Sequence, residues 1–251
     1  MVCATTHANN VLANEISTGD SYVKVKLGSN FSGKLSNISA TEDLGYATAT
    51  PNRHPNTQLS SVAESTSFPD FSVAFGRTLQ SVQNFGYEVG VRYSKLTMPR
   101  QFVTLSNPSF VPIYGQNNFT EDQRALDAKL FQISLSGLYR FADAKSQYSP
   151  YLGAGVTYNR INVTGTGASC FLVQPVVTTG CGFNLSVNTT SFSFGGQLRA
   201  GLDYSLTEDY KLGFEYAFDY IPAKFDQIRS IHNVSGTQTL HAVGVTLTKG
   251  F

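Results

Sequence analysis

Tryptophan is absent from this sequence and charge is scarce: 14% of the 251 residues are Asp, Glu, Lys or Arg, against roughly 25% in ordinary soluble domains. Long apolar runs do not make up the difference. No stretch approaches the ~18 apolar residues of a membrane-spanning helix, which excludes helical spans, and mean hydropathy is only -0.12. A net charge of +1 excludes a strong electrostatic hold on nucleic acid. There is no CxxC pair and no G-x-S-x-G, so neither a zinc site nor a serine-hydrolase elbow can be read. Of the three cysteines, Cys170 and Cys181 bracket FLVQPVVTTG. They are either a local disulfide of an oxidising compartment or two free thiols.

What is present lies in alternate positions. Aromatic residues make up 12% of the chain, beside 22 glycines. Read at period two, the sequence yields eight strands of roughly 9–11 residues, the length a tilted barrel strand needs. The first, SYVKVKLGSNF, sets Val23, Val25, Leu27 and Phe31 on one face and Lys24, Lys26, Gly28 and Asn30 on the other. The second is DFSVAFG. In the third, FGYEVGVRYS, Phe85, Tyr87, Val89, Val91 and Tyr93 oppose Gly86, Glu88, Gly90, Arg92 and Ser94. KLFQISLSGLYRF, PYLGAGVTYN, SFSFGGQLRAGLDY, YKLGFEYAFDY and LHAVGVTLTKGF complete the set.

Connections alternate in length. Short turns (LQSVQN, ADAKSQYS, SLTED) follow the second, fourth and sixth strands. Links of about 34, 30, 30 and 18 residues follow the others, far above hairpin length. This asymmetry predicts an all-β fold: an eight-stranded antiparallel transmembrane β-barrel with four long extracellular loops and short periplasmic turns. Residues 1–18 are set apart as a residual signal peptide or a disordered tail, and 19–251 form the barrel. A soluble lipocalin-type barrel alternates too. Its outer face would be rich in long charged residues, whereas the polar face here is mostly Gly, Ser, Ala and Thr, as suits a crowded interior.

Eight strands enclose a space only just wide enough for side chains, and charges within it must be paired. The lumen-facing charges are Lys24, Lys26, Glu88, Arg92, Arg140, Arg199, Asp203, Lys211 and Glu215. A three-residue turn at Leu206-Thr207-Glu208 opposes Asp203 to Lys211 and Arg199 to Glu215; a shift by two residues leaves Arg199 facing Ala217. Charge complementarity predicts the first register. Glu88 and Arg92, four apart on one strand, each require a partner across the barrel. The expectation is a plug of ion pairs that closes the lumen, and the alternative is a small-solute pore lined by the same charges. Outward Tyr87, Tyr93, Tyr139, Phe141, Tyr210, Phe218 and Tyr220 read as interfacial girdles. Lys249, on the outward parity, snorkels to water at the rim.

The stretches SPYLGAGVTY and GGQLRAGLDYSLTEDYKLGFEYAFDYIPAKF, with the opening SYVKVKLG, resemble the opacity-protein and OmpA-like eight-stranded barrels. They look most like the surface-antigen branch of rickettsial-type bacteria. Pro-Tyr followed by Gly-x-Gly, and a strand-turn-strand with Leu-Thr-Glu-Asp at its tip, carry the likeness over about residues 20–251. It implies a bacterial outer-membrane location, loops exposed at the cell surface, and host contact or antigenicity; some relatives are porin-like. Terminal Phe251 resembles the signal read by outer-membrane assembly machinery.

Enzymatic readings are thin. His54 and His232 sit in polar links and read as solvated. His241 lies on the outward parity near the outer interface, where a base for lipid cleavage could stand, but no nucleophile motif accompanies it. The sequence therefore predicts a non-enzymatic surface protein, an adhesin or antigen. Its expected partners are outer-membrane lipid and, through the loops, host-cell surface molecules. It is expected to be a monomer without cofactor, metal or nucleic acid.

Overall fold

The computed structural model describes residues 21–43, 53–59, 62–64, 67–79, 84–98, 101–106, 118–123, 126–141, 147–172, 180–228 and 231–251. The segment 1–18, with Cys3, lies outside them. The described elements are β1 (Ser21–Asp43), β2 (Arg53–Leu59), β3 (Val62–Glu64), β4 (Ser67–Thr78), β5 (Phe85–Met98), β6 (Gln101–Ser106), β7 (Asn118–Gln123), β8 (Leu126–Arg140), β9 (Tyr148–Leu172), β10 (Gly180–Ser205), β11 (Tyr210–Ile228) and β12 (Ile231–Gly250). Eight of them close a ring, β1-β4-β5-β8-β9-β10-β11-β12, antiparallel at every step and sealed by β12 on β1. Closure leaves no strand edge to face hydrocarbon. At the seam, Phe251 N–H donates to Ser21 O at 2.9 Å, and its ring lies 6.1 Å from that of Phe75.

The barrel is inside out. Leu27, Phe71, Val89, Ile133, Leu135, Val156, Leu198, Phe214 and Val245 are exposed, while Lys24, Lys26, Glu88, Arg92, Arg199 and Glu215 are buried. An apolar belt of this extent is stable only against lipid. Among the girdle residues Tyr87, Tyr93, Tyr139, Phe141, Tyr210 and Tyr220 are exposed and Phe218 is half-buried. Lys249 faces outward, its Nζ 5.7 Å from the centre of the Tyr210 ring.

Toward the long connections the polarity inverts while the parity holds. On β5 Leu96 is buried and Lys95 exposed; on β8 Ala128 and Leu130 are buried and Lys129 exposed. On β9 Ile161 and Val163 face in and Arg160 faces out; on β11 Ile221, Ala223 and Phe225 alternate with exposed Lys224 and Asp226. The same wall thus leaves lipid and continues as an ordinary water-facing barrel. The β9–β10 ladder runs to Phe171↔Gly180 and the β11–β12 ladder to Ile228↔Ile231. In the first two long connections β2, β6 and β7 bridge β1 to β9. Much of the length assigned to loops by sequence is therefore strand. Ending each strand where its outward apolar residues stop mistakes the edge of the lipid for the end of the ladder.

The β10–β11 register departs from the expectation by two residues. Arg199 stands opposite Ala217, Glu215 opposite Gly201, Asp203 opposite Gly213 and Lys211 opposite Ser205. The turn is Thr207-Glu208-Asp209, closed by Leu206 N–H to Tyr210 O at 2.9 Å and Tyr210 N–H to Thr207 Oγ1 at 3.1 Å. The reason is volume. Directly opposed Cβ atoms lie only about 4.5–5.5 Å apart, and in this layer large groups lie over small ones: Tyr22 over Gly76, Glu88 between Gly76 and Ser136, Tyr151 over Gly201, Arg199 between Ala217 and Gly153. A Cβ at Gly201 would lie 2.4 Å from the Tyr151 ring, and one at Gly76 2.3 Å from that of Tyr22. Gly201→Val should therefore cost about 1–3 kcal/mol by overpacking in urea unfolding from detergent micelles. Gly137→Val is the control, since a Cβ there meets nothing within 4 Å, and it should leave the midpoint in place.

Candidate functional site in the barrel lumen

Five cations and five carboxylates project from six of the strands into one continuous lattice. Nearest the short turns, Arg140 on β8 reaches Asp203 on β10 at 2.9 Å, and its guanidinium lies 5.5 Å from the ring centres of both Tyr22 and Tyr151. In the next layer Lys24 meets Glu88 at 2.8 Å and Glu215 at 3.7 Å. Arg199 bridges the same two carboxylates, touching Glu88 at 2.5 Å and Glu215 through its other terminal nitrogen. Tyr22 and Tyr151 donate their hydroxyls to Glu88 at 2.9 Å and Glu215 at 2.7 Å.

The third layer centres on Arg92. Its Nε donates to Asp70 at 2.6 Å, one Nη to Asp219 at 2.5 Å and the other to Asn30 at 2.6 Å. Asp219 also accepts from Gln132 at 3.1 Å and Gln197 at 2.8 Å. Gln132 donates to Asn159 at 2.9 Å, and Ser94 donates to Asp70. Lys26 joins the layers, 3.4 Å from Glu215 and 3.6 Å from Asp70. Beyond them the lumen turns apolar: Leu96, Leu130, Ile161 and Ile221 each occupy the next inward position after Ser94, Gln132, Asn159 and Asp219.

Of the charges singled out in the sequence, Lys24, Lys26, Glu88, Arg92, Arg140, Arg199, Asp203 and Glu215 meet in this lattice. Two pairings differ from expectation. Asp203 pairs with Arg140 instead of Lys211, which is half-buried beside Ser205. Arg199 reaches Glu215 diagonally, its long side chain spanning the two-residue offset. Sequence reasoning passed over Asp70 and Asp219, the partners of Arg92. Period two marks both: Asp70 shares the parity of Ser72 and Ala74, and Asp219 that of Glu215. The tyrosines Tyr22 and Tyr151 were passed over as well, because tyrosine on a barrel strand reads as girdle.

Elsewhere, the backbone register sets Cys170 directly opposite Cys181. His54 and His232 pair in the ladder beyond the lipid, opposite Glu42 and Gln227. His241 is half-buried on the outward face; Tyr216 Oη lies 2.7 Å from its Nδ1, and its ring is 6.0 Å from Phe31 and 5.0 Å from Phe218. Among the described residues no cluster of His, Cys, Asp and Glu could hold a metal ion.

No protein-family model and no curated protein matches the chain. Solved structures do. The outer membrane protease OmpT from Escherichia coli is similar over 94% of this chain and 98% of its own, at 10% identity and a TM-score of 0.51. This chain shares a membrane β-barrel fold with it. Neisserial surface protein A matches over 92% of this chain and 97% of its own, at 18% identity and a TM-score of 0.44. Ail, the attachment invasion locus protein of Yersinia pestis, matches over 91% and 99%, at 13% identity and a TM-score of 0.34.

Removing one partner from a buried ion pair costs about 3–5 kcal/mol because the other charge is left unpaired. Arg92→Leu leaves Asp219 without a cation and Asp70 with Lys26 alone, and should destabilise the barrel by about that amount in urea unfolding. Adding Asp70→Asn and Asp219→Asn to the same chain should recover most of the loss.

Proposed function

We propose that this chain is an integral outer-membrane surface protein whose barrel is closed to solutes and whose working surface is the crown beyond the lipid. The observation that carries this reading is the double closure of the lumen. Arg92, Arg199 and their carboxylates fill the section within the apolar belt, and Leu96, Leu130, Ile161 and Ile221 fill the section above it. An eight-stranded barrel filled by side chains leaves no aqueous channel. A wall carried well past the lipid by paired strands is instead a pedestal for its tips, which fits contact with host-cell surface molecules as an adhesin or antigen.

The competing reading, a small-solute porin, is separated by conductance. In planar bilayers the purified protein should show no steady open level; a sustained conductance would remove this proposal. Contact is tested by exchanging the sequence segments 173–179 and 107–117 one at a time and measuring binding of host matrix components to liposomes carrying the barrel. Loss of binding with one exchange is expected, and indifference to all of them would reject the adhesin role.

Catalysis has little support. The lumenal carboxylates are taken up in ion pairs, and His241 Nδ1 is engaged by the Tyr216 hydroxyl with its ring packed among aromatic side chains. His241→Ala should leave phospholipid hydrolysis at background in both proteins.

We further propose that Cys170 and Cys181 form a disulfide, since directly opposed strand positions fall within the Cα separation a disulfide spans, about 4.4–6.8 Å. Alkylation of the unfolded chain should label these two cysteines only after reduction.

A further inference from the structure

On β5, β8 and β9 the outward face changes character in a single step. Tyr93, Phe131 and Tyr158 end an apolar run, and the next outward residues are Lys95, Lys129 and Arg160, all exposed. The strands are neighbours, so the cations are too. Lys95 stands directly opposite Lys129. Arg160 stands opposite Phe131, diagonal to Lys129. Like charges opposed across an antiparallel pair repel. Asp127 lies 3.6 Å from Lys95, while among the described residues neither Lys129 nor Arg160 is ion-paired. The Arg160 guanidinium lies along the barrel wall, 5.8 Å from the centre of the Phe192 ring.

We propose that Lys95, Lys129 and Arg160 form a binding site for the phosphate of an anionic membrane lipid in the leaflet at the long-connection end. Height supports it. From Phe85 to Tyr93 the outward face of β5 is apolar for eight steps of about 3.3 Å, which at a tilt near 40° covers about 20 Å. The cations stand one step above, where a ~25 Å apolar band meets headgroups. Chemistry supports it as well. The aromatic residues Tyr93, Phe131 and Tyr158 stand one outward step below the charges and Phe192 stands opposite Arg160, so one ligand would meet an apolar floor with its chains and cations with its headgroup. Arg160 offers a planar donor fork to phosphate, and the two lysines offer point charges. A free phosphate would use the cations and leave the floor unused. At the short-turn end the outward cations Arg77 on β4 and Lys249 on β12 are separated by β1, and among the described residues no such triad forms there.

The site rests on the membrane reading above, and the two can fail separately. The full chain is refolded into phosphatidylcholine vesicles, and flotation first establishes insertion; a chain that does not float rejects the membrane reading itself. Spin-labelled phosphatidic acid or phosphatidylcholine then reports the motionally restricted fraction at the protein surface. Phosphatidic acid should be preferred, and Lys129→Gln with Arg160→Gln should reduce that preference by about fivefold or more, the effect of losing a cation beside an anionic headgroup. Lys34→Gln with Lys224→Gln, on the strands flanking β12 across the barrel, should leave it intact. Lys129→Arg should retain it, which separates lost charge from damaged folding. An unchanged preference in the first variant, or an equal loss in the Lys34 and Lys224 variant, would overturn the proposal. Displacement of the spin-labelled lipid by millimolar inorganic phosphate would overturn it too, by assigning the site to free anion.

Discussion

Room is the constraint on which the rest of this barrel depends. Eight strands leave a lumen just wide enough for side chains to fill it, and in the layer around Glu88 and Glu215 large residues are set against small ones on the next strand. Glu215 therefore faces Gly201 on β10 and Gly244 on β12, and Arg199 faces Ala217 and Gly153. The ionic contacts follow from this spacing. A guanidinium long enough to cross the axis meets carboxylates from strands that are not its neighbours: Arg199 on β10 binds Glu88 on β5, and Arg92 on β5 binds Asp219 on β11. Such pairs add little net stability over apolar filling, but misplacing one is costly. Their role here is to tie opposite walls to one register.

The second organising feature is the reversal of polarity along strands whose parity never changes. Within the belt, β9 turns Val156 and Tyr158 outward and Thr157 and Asn159 inward; two residues later Arg160 is outside and Ile161 inside. The switch falls at corresponding places on β5 and β8, where Lys95 and Lys129 follow Tyr93 and Phe131. A plane through these positions separates the solvent on the outer face from hydrocarbon below it. Above the plane the interior is apolar for the ordinary reason that the exterior is wet. The apolar filling by Leu96, Leu130, Ile161 and Ile221 thus follows from where the membrane stops.

Much of this was legible in the sequence. Period two marks the eight walls, and the parity of Lys24, Glu88, Arg92 and Arg199 places them inside. What was not legible has two physical causes. Charge complementarity was used to choose the β10–β11 register, yet arginine reaches across two residues as readily as across none, so charge could not discriminate. Packing could, and Gly201, Gly213 and Ala217 already carried that information. The extended ladders were missed because strands were recognised by outward apolar residues, a criterion that holds only inside lipid. In Ile161, Val163 and Ile221, Ala223, Phe225 the alternation continues on the opposite face, and following parity instead of polarity would have found it.

The two features meet in the lumen, where ion pairs occupy the section within the apolar belt and Leu96, Leu130, Ile161 and Ile221 the section beyond it. The wall itself passes from lipid into water as one hydrogen-bonded ladder, as β9–β10 does from Tyr148↔Tyr204 to Phe171↔Gly180 with one irregularity near Asn184. Where that wall enters the headgroups, its outward face carries three cations side by side, Lys95, Lys129 and Arg160, next to a run of aromatic rings.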